Sequence, residues 1–134
     1  MADNRGKVMK MVDNKSNPFV QFGEIYFSFV NPGVVKGWKK HLRASQFFCV
    51  PVGTIKFVFF DDRPDSLTKG QIEKIECGEI NYQLIKMPSG VWYSWKAISV
   101  FPAMIASLTS EPHDPAEALA AEINNNGIIP YHWD

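Results

Sequence analysis

"TIKFVFFDD", residues 54–62, alternates Ile55, Phe57 and Phe59 with Lys56, Val58 and Phe60, so a strand built from it is largely apolar on both faces. One face is expected to line a barrel and the other to meet a second sheet or subunit. The same β-branched and aromatic texture recurs on either side. "KVMKMV", "GEIYFSFV", "GVVKGW" and "SQFFCVPV" precede it, and "IEKIEC", "YQLIKMP", "GVWYSWKAI" and "AMIASL" follow. Between these runs stand "NPG", "PVG", "DDRPDSLTKG", "CGEIN" and "PSG", which supply Pro, Gly, Asn or Asp where a turn needs special dihedrals. The pattern predicts an all-β barrel or sandwich. Within "DDRPDS" the adjacent Asp61 and Asp62 read as a hairpin turn with Arg63 pairing locally, rather than as an acid–base pair or a Mg²⁺ site.

A single helix signal interrupts the β texture. In "DPAEALAAEI" Asp114 is placed as N-cap, Pro115 lies in the first turn and Glu117 occupies the capping-box position, which predicts a short C-terminal helix over 114–124. Residues 1–18 read as an N-terminal arm or strand. The tail, 128–134, is too short to fold alone but rich enough in rings to pack over an edge or mouth. At 134 residues the chain, 1–134, is one domain.

Composition narrows the function classes. Fourteen Lys and Arg balance fourteen Asp and Glu, so no global field draws the protein to nucleic acid or to an anionic membrane. The first 18 residues lack a signal-peptide core and no later run approaches a membrane span, which predicts a cytoplasmic protein. Ten Phe, four Trp and four Tyr are more rings than a small core easily hides, and a homodimer is expected. Cys49 and Cys77 each lie in an apolar run without CxxC spacing and read as free core thiols.

Five segments, "FGEIYFSFVNPGVVKGW", "GTIKFVFFDDRPDS", "MPSGVWYSWKAI", "TSEPHD" and "IPYHWD", stand in the order and nearly the spacing of a known family. The chain resembles the cupin-type dTDP-4-dehydrorhamnose 3,5-epimerases, particularly their short relatives described as dTDP-sugar isomerases. The resemblance implies a cupin-like double-stranded β-helix, a jelly-roll barrel, that dimerises. It also implies removal and replacement of protons beside the 4-keto group of a dTDP-linked 6-deoxyhexose, without metal or organic cofactor, on the way to surface polysaccharide.

That chemistry needs a base, an acid on the opposite sugar face and a cation or donor for the enolate. By the resemblance, the family's first histidine falls on Lys39, and the second histidine of its W-H-x-H form on His41. The motif P-x-G-x-x-H-G-F falls on "PSGVWYSW", with Tyr93 at the histidine and Ser94 at the glycine. The catalytic tyrosine aligns with Ser107, and His113 takes the place of a later tyrosine. The candidate catalytic residues are therefore His41 or Lys39 as base and Tyr93 as acid. A lysine would serve as base only if its surroundings forced it neutral.

Lys36, Lys39 and Arg43 form a cationic rim suited to the diphosphate of a nucleotide sugar. Trp95, beside Tyr93, could stack on a base or sugar, or simply belong to the core. Ser107 and His113 complete the candidate binding set, His113 also being a possible substitute acid. A cupin metal site needs about three or four convergent ligands, and His41 stands without its HxH partner, so no metal is expected. Two further readings stay open: a non-catalytic module that keeps the nucleotide-sugar pocket, and an interaction protein whose barrel is filled.

Overall fold

The computed structural model describes residues 2–17 and 21–134. Eleven strands are formed among them: β1 (Ala2–Asp3), β2 (Gly6–Lys7), β3 (Glu24–Val30), β4 (Val35–His41), β5 (Gln46–Val52), β6 (Thr54–Asp61), β7 (Ile72–Gly78), β8 (Ile85–Met87), β9 (Val91–Ala97), β10 (Ala103–Thr109) and β11 (Ala118–Ala120). Two antiparallel sheets, ordered β3-β10-β5-β8 and β11-β4-β9-β6-β7, face one another as a jelly roll, as the sequence predicts. No helix among the described residues is long and apolar enough to cross a membrane.

Period-two alternation sorts the side chains into two cores. Phe48 and Val50 of β5, Ile55, Phe57 and Phe59 of β6, Tyr93 and Trp95 of β9 and Ile105 of β10 fill the space between the sheets. Val58, Phe60, Trp92 and Trp38 point the other way, from the outer face of the five-stranded sheet. The sequence assigned that outer face to a second sheet or subunit; it is the chain's own tail that covers it. Ile129 and Trp133 are buried there, the Trp133 indole donates to Ser94 Oγ at 2.8 Å, and Lys56 lies 5.4 Å above the Trp133 ring.

Both predicted end elements are shorter than the sequence suggests. Of the run 7–12 only Lys7 is in a strand, in the two-residue hairpin of β1 and β2; Met1 and Pro18 of the predicted arm lie outside the described residues. So small a ribbon has no packed face to extend it. The helix predicted over 114–124 is confined to a 3₁₀ turn, Pro115–Glu117, capped by Asp114, whose side chain accepts from the Ala116 amide at 3.0 Å. The residues after it extend as β11 along the edge of β4, pairing Ala118 with His41 and Ala120 with Lys39. An available sheet edge outweighs the modest helix preference of three or four alanines.

Elsewhere the punctuation holds. Asp61, at the end of β6, takes the Arg63 guanidinium on both oxygens at 2.9 Å together with the hydroxyls of Ser66 and Thr68, and Arg63 holds its carboxyl far below the usual range. Asp62 turns outward to Lys40 at 2.9 Å and to the Trp92 indole. Cys49 and Cys77 are free and buried, and burial pushes the Cys77 thiol up to about 12.

Candidate active site

Strand β4 carries the segment on which the site depends, and a bulge decides which way it faces. Lys36 pairs with Trp95 and Gly37 with Ser94, but the next pair is Lys39 with Tyr93, leaving Trp38 as an extra residue. Directly paired residues share a face, so Lys36 lies on the barrel side before the bulge and Lys39 and His41 after it. Trp38 is thrown outward beneath the tail, its indole donating to the Ile123 carbonyl at 3.0 Å. Without the extra residue the alternation set by Lys36 would send Lys39 and His41 to the outer face.

His41 is buried and both ring nitrogens have partners. Nδ1 meets Oε1 of Glu117, and Nε2 lies 3.2 Å from the Tyr93 hydroxyl, the two rings being 11° from parallel. Glu117 is itself buried, and its Oε2 accepts from the backbone amides of Arg43 and Ala44, each at 3.2 Å. Burial raises this carboxyl, but His41 and the two amides together outweigh it and the net direction is down. Glu117 is therefore ionised at neutral pH and can only accept. Nδ1 must carry the proton it donates, and in the neutral ring Nε2 is left with the lone pair, to which the Tyr93 phenol donates. Burial pushes Tyr93 strongly up, which keeps it a donor.

Alternation alone would not bring Glu117 here. Ala118 and Ala120 line the barrel-side cavity, so an extended residue 117 would point away from it. As the last residue of the 3₁₀ turn, Glu117 escapes that alternation and swings under the β4–β5 connection.

The cavity in front of His41 measures about 480 Å³, within the range for small-molecule sites. Lys39, His41 and Glu117 form one wall. Glu24 and Tyr26 of β3 and Gln46 of β5 form the facing wall, with His113 at the rim, its backbone amide donating to Glu24 at 2.8 Å. Among the described residues, three buried polar atoms near this end of the barrel, Gln46 Oε1, Trp95 Nε1 and Ser107 Oγ, have no hydrogen-bond partner within 3.5 Å. A second cavity, of about 380 Å³, lies where β7 approaches β8. Its buried carboxylate, Asp61, is already committed to Arg63, Ser66 and Thr68.

Of the residues singled out in the sequence, the structure brings Lys39, His41 and Tyr93 together and adds His113 at the rim. Lys36 reaches the Phe29 carbonyl at 3.3 Å and does not line the cavity. Arg43 is exposed and pairs with Glu111 and Asp114, two residues of the cavity rim. Trp95 and Ser107 are buried beneath the cavity, Trp95 among Phe48, Phe57 and Tyr93. Among the described residues no three His, Cys, Asp or Glu side chains converge as a metal ion would require.

Sequence reasoning missed Glu117, Tyr26, Glu24 and Gln46. For Glu117 a signal existed: the segment 114–124 contains no Lys or Arg, so a helix there would leave Glu117 without an i,i+4 partner and free for a distant one.

No family model matches the chain. It is 32% identical over 115 residues to the probable low-salt glycan biosynthesis epimerase of Haloferax volcanii, covering 84% of this chain and 74% of that protein. It is 30% identical to the spore coat polysaccharide biosynthesis protein SpsL of Bacillus subtilis, covering 99% of this chain and 89% of the relative. Among solved structures, the dTDP sugar isomerase of Desulfovibrio desulfuricans superposes with a TM-score of 0.93 at 40% identity, over 99% of this chain and 85% of that one.

Proposed function

The chain belongs to the family of dTDP-4-dehydrorhamnose 3,5-epimerases and dTDP-sugar isomerases, and on that premise we propose that it epimerises a dTDP-4-keto-6-deoxyhexose in glycan biosynthesis, with His41 as the base. The observation that carries this reading is the Glu117–His41–Tyr93 chain, which supports an imidazole with its Nδ1 proton fixed and its Nε2 lone pair held by the Tyr93 hydroxyl, at the wall of a ligand-sized cavity. A carbon beside a ketone gives up its proton because the electron pair left behind spreads onto the carbonyl oxygen. The base must lie within hydrogen-bond reach, and a cation near the oxygen lowers the barrier. Lys39, on the same wall as His41, supplies that cation. Arg43, at the cavity rim, serves the diphosphate by exchanging its rim carboxylates for phosphate oxygens, and Lys36, away from the cavity, would have to leave the Phe29 carbonyl to join it. Trp95 and Ser107 back the sugar pocket, where buried polar atoms without a partner among the described residues suit the hydroxyls of a sugar.

A second copy of the chain is proposed against the outer row of β3, where Ile25, Phe27 and Phe29 are 52%, 61% and 64% exposed on an edge strand. The alternative, a binding module without chemistry, draws on the lysine at the family's base position and the serine at its tyrosine position.

Incubation with dTDP-4-keto-6-deoxyglucose in heavy water distinguishes these readings. Deuterium is expected to enter at C3 or C5 well above the rate in buffer. Binding without exchange would leave the module standing, and neither binding nor exchange would leave an interaction protein.

A further inference from the structure

Inversion at a carbon needs more than a base. The proton leaves on one face and must be supplied from the other, so a residue that delivers it has to stand across the bound ring from His41. Tyr93 does not stand there: it lies on β9, beside β4 in the same sheet, and its hydroxyl is engaged with His41 Nε2. It is 3% exposed and does not line the cavity.

The wall opposite is formed by the four-stranded sheet. There Tyr26, on the edge strand β3, pairs with Ser107 of β10 and turns its side chain into the barrel, where it lines the same cavity as His41. Its hydroxyl accepts from Gln46 Nε2 at 3.4 Å and lies beside the Ser107 side chain, at the cavity wall. Burial raises its pKa, so it holds its proton at neutral pH. Around it, Gln46 Oε1 and Ser107 Oγ are buried and have no hydrogen-bond partner within 3.5 Å among the described residues, which marks this wall as one built to meet polar atoms.

We propose that Tyr26 is the acid that completes inversion, acting from the wall facing His41; this rests on the epimerase reading above. Once the Tyr93 hydroxyl gives up its hydrogen bond to His41 Nε2, that nitrogen takes the proton from the carbon beside the ketone, and the C–H electron pair passes into the enolate. The enolate carbon then takes the Tyr26 hydroxyl proton on its opposite face while the carbonyl re-forms. This leaves an imidazolium and a phenolate, which return to their starting states by proton exchange with water. An isomerase that moved one proton between neighbouring carbons along a single face would have no use for Tyr26.

The test is Tyr26→Phe with dTDP-4-keto-6-deoxyglucose in heavy water, following deuterium entry and configuration at the exchanging carbon separately. Deuterium should still enter with retained configuration at close to the wild-type rate, since His41 can return what it removed, while the inverted product falls about 100-fold or more. Persisting exchange also shows that the variant is folded. Inversion at the wild-type rate would overturn the proposal. So would equal loss of exchange and inversion in a variant with unchanged melting temperature, because Tyr26 would then serve binding or structure. Absence of exchange in the wild type would overturn the epimerase reading itself, and this proposal with it.

Discussion

Asparagine at position 41 is expected to lower both deuterium entry and turnover by roughly 10²–10⁴, the range for a positioned acid–base group. Glutamine at position 117 should lose a large part of the same factor, although Glu117 lies behind the imidazole. Its carboxylate fixes the Nδ1 proton, and an amide can turn its NH₂ toward the ring and leave Nε2 protonated instead. Because the two residues act as a unit, the double variant should be no slower than His41→Asn alone. The loss should fall on kcat, with KM little changed. Stability carries a second signature. The Glu117 carboxyl is depressed from its ordinary value of 4.5, so its contribution is present above that value and is lost as pH falls through the lowered one. Glu117→Gln should therefore make the unfolding free energy less sensitive to pH below about 4.5. An unchanged acid profile would mean that the carboxylate is not held as described.

Alanine at position 37 is expected to cost ~3 kcal/mol, a fall in melting temperature of about 10 °C for a chain of this size. Gly37 has φ +123°, a region L side chains rarely enter, and an added Cβ would lie 2.6 Å from Ser94 Cβ and 2.8 Å from the Tyr93 carbonyl oxygen. Neither neighbour can withdraw, since both belong to the central strand β9. The same residue opens the bulge that turns Lys39 and His41 inward, so any fold that relieves the clash by slipping register also removes the base from the cavity. Gly33 provides the comparison. Its φ is +75° but nothing lies within 4 Å of an added Cβ, so Gly33→Ala should cost only about 1 kcal/mol and leave activity intact. Equal effects at the two positions would contradict the role given to the close approach at Gly37.

Local pattern made much of this legible. The alternation in 54–62 assigned Phe57 and Phe59 to one face and Val58 and Phe60 to the other, and the structure buries them in two separate cores. The same alternation puts Trp92 and Tyr93, neighbours on β9, into separate cores. What stayed hidden depends on partners distant along the chain. The bulge at Gly37 exists only in the pairing of β4 with β9, and a glycine between Lys36 and Trp38 does not announce it. Glu117 carries a capping-box signature because its sequence neighbours favour a helix, yet its own partner is 76 residues away. Tyr26 looks like one aromatic among several in "EIYFSF" until β3 is paired with β10 and seen to face His41. The tail over the outer core is likewise a contact between the chain's end and its middle.

Histidine-selective nitrogen NMR of the wild-type protein and Glu117→Gln tests most directly whether position 41 holds a prepared base. In the neutral ring of the wild type, Nδ1 should carry the proton and Nε2 the lone pair, and this tautomer should be lost or averaged in Glu117→Gln. A ring protonated at Nε2 in the wild type, or one indifferent to Glu117, would contradict the assignment of His41 as a base held ready by that carboxylate.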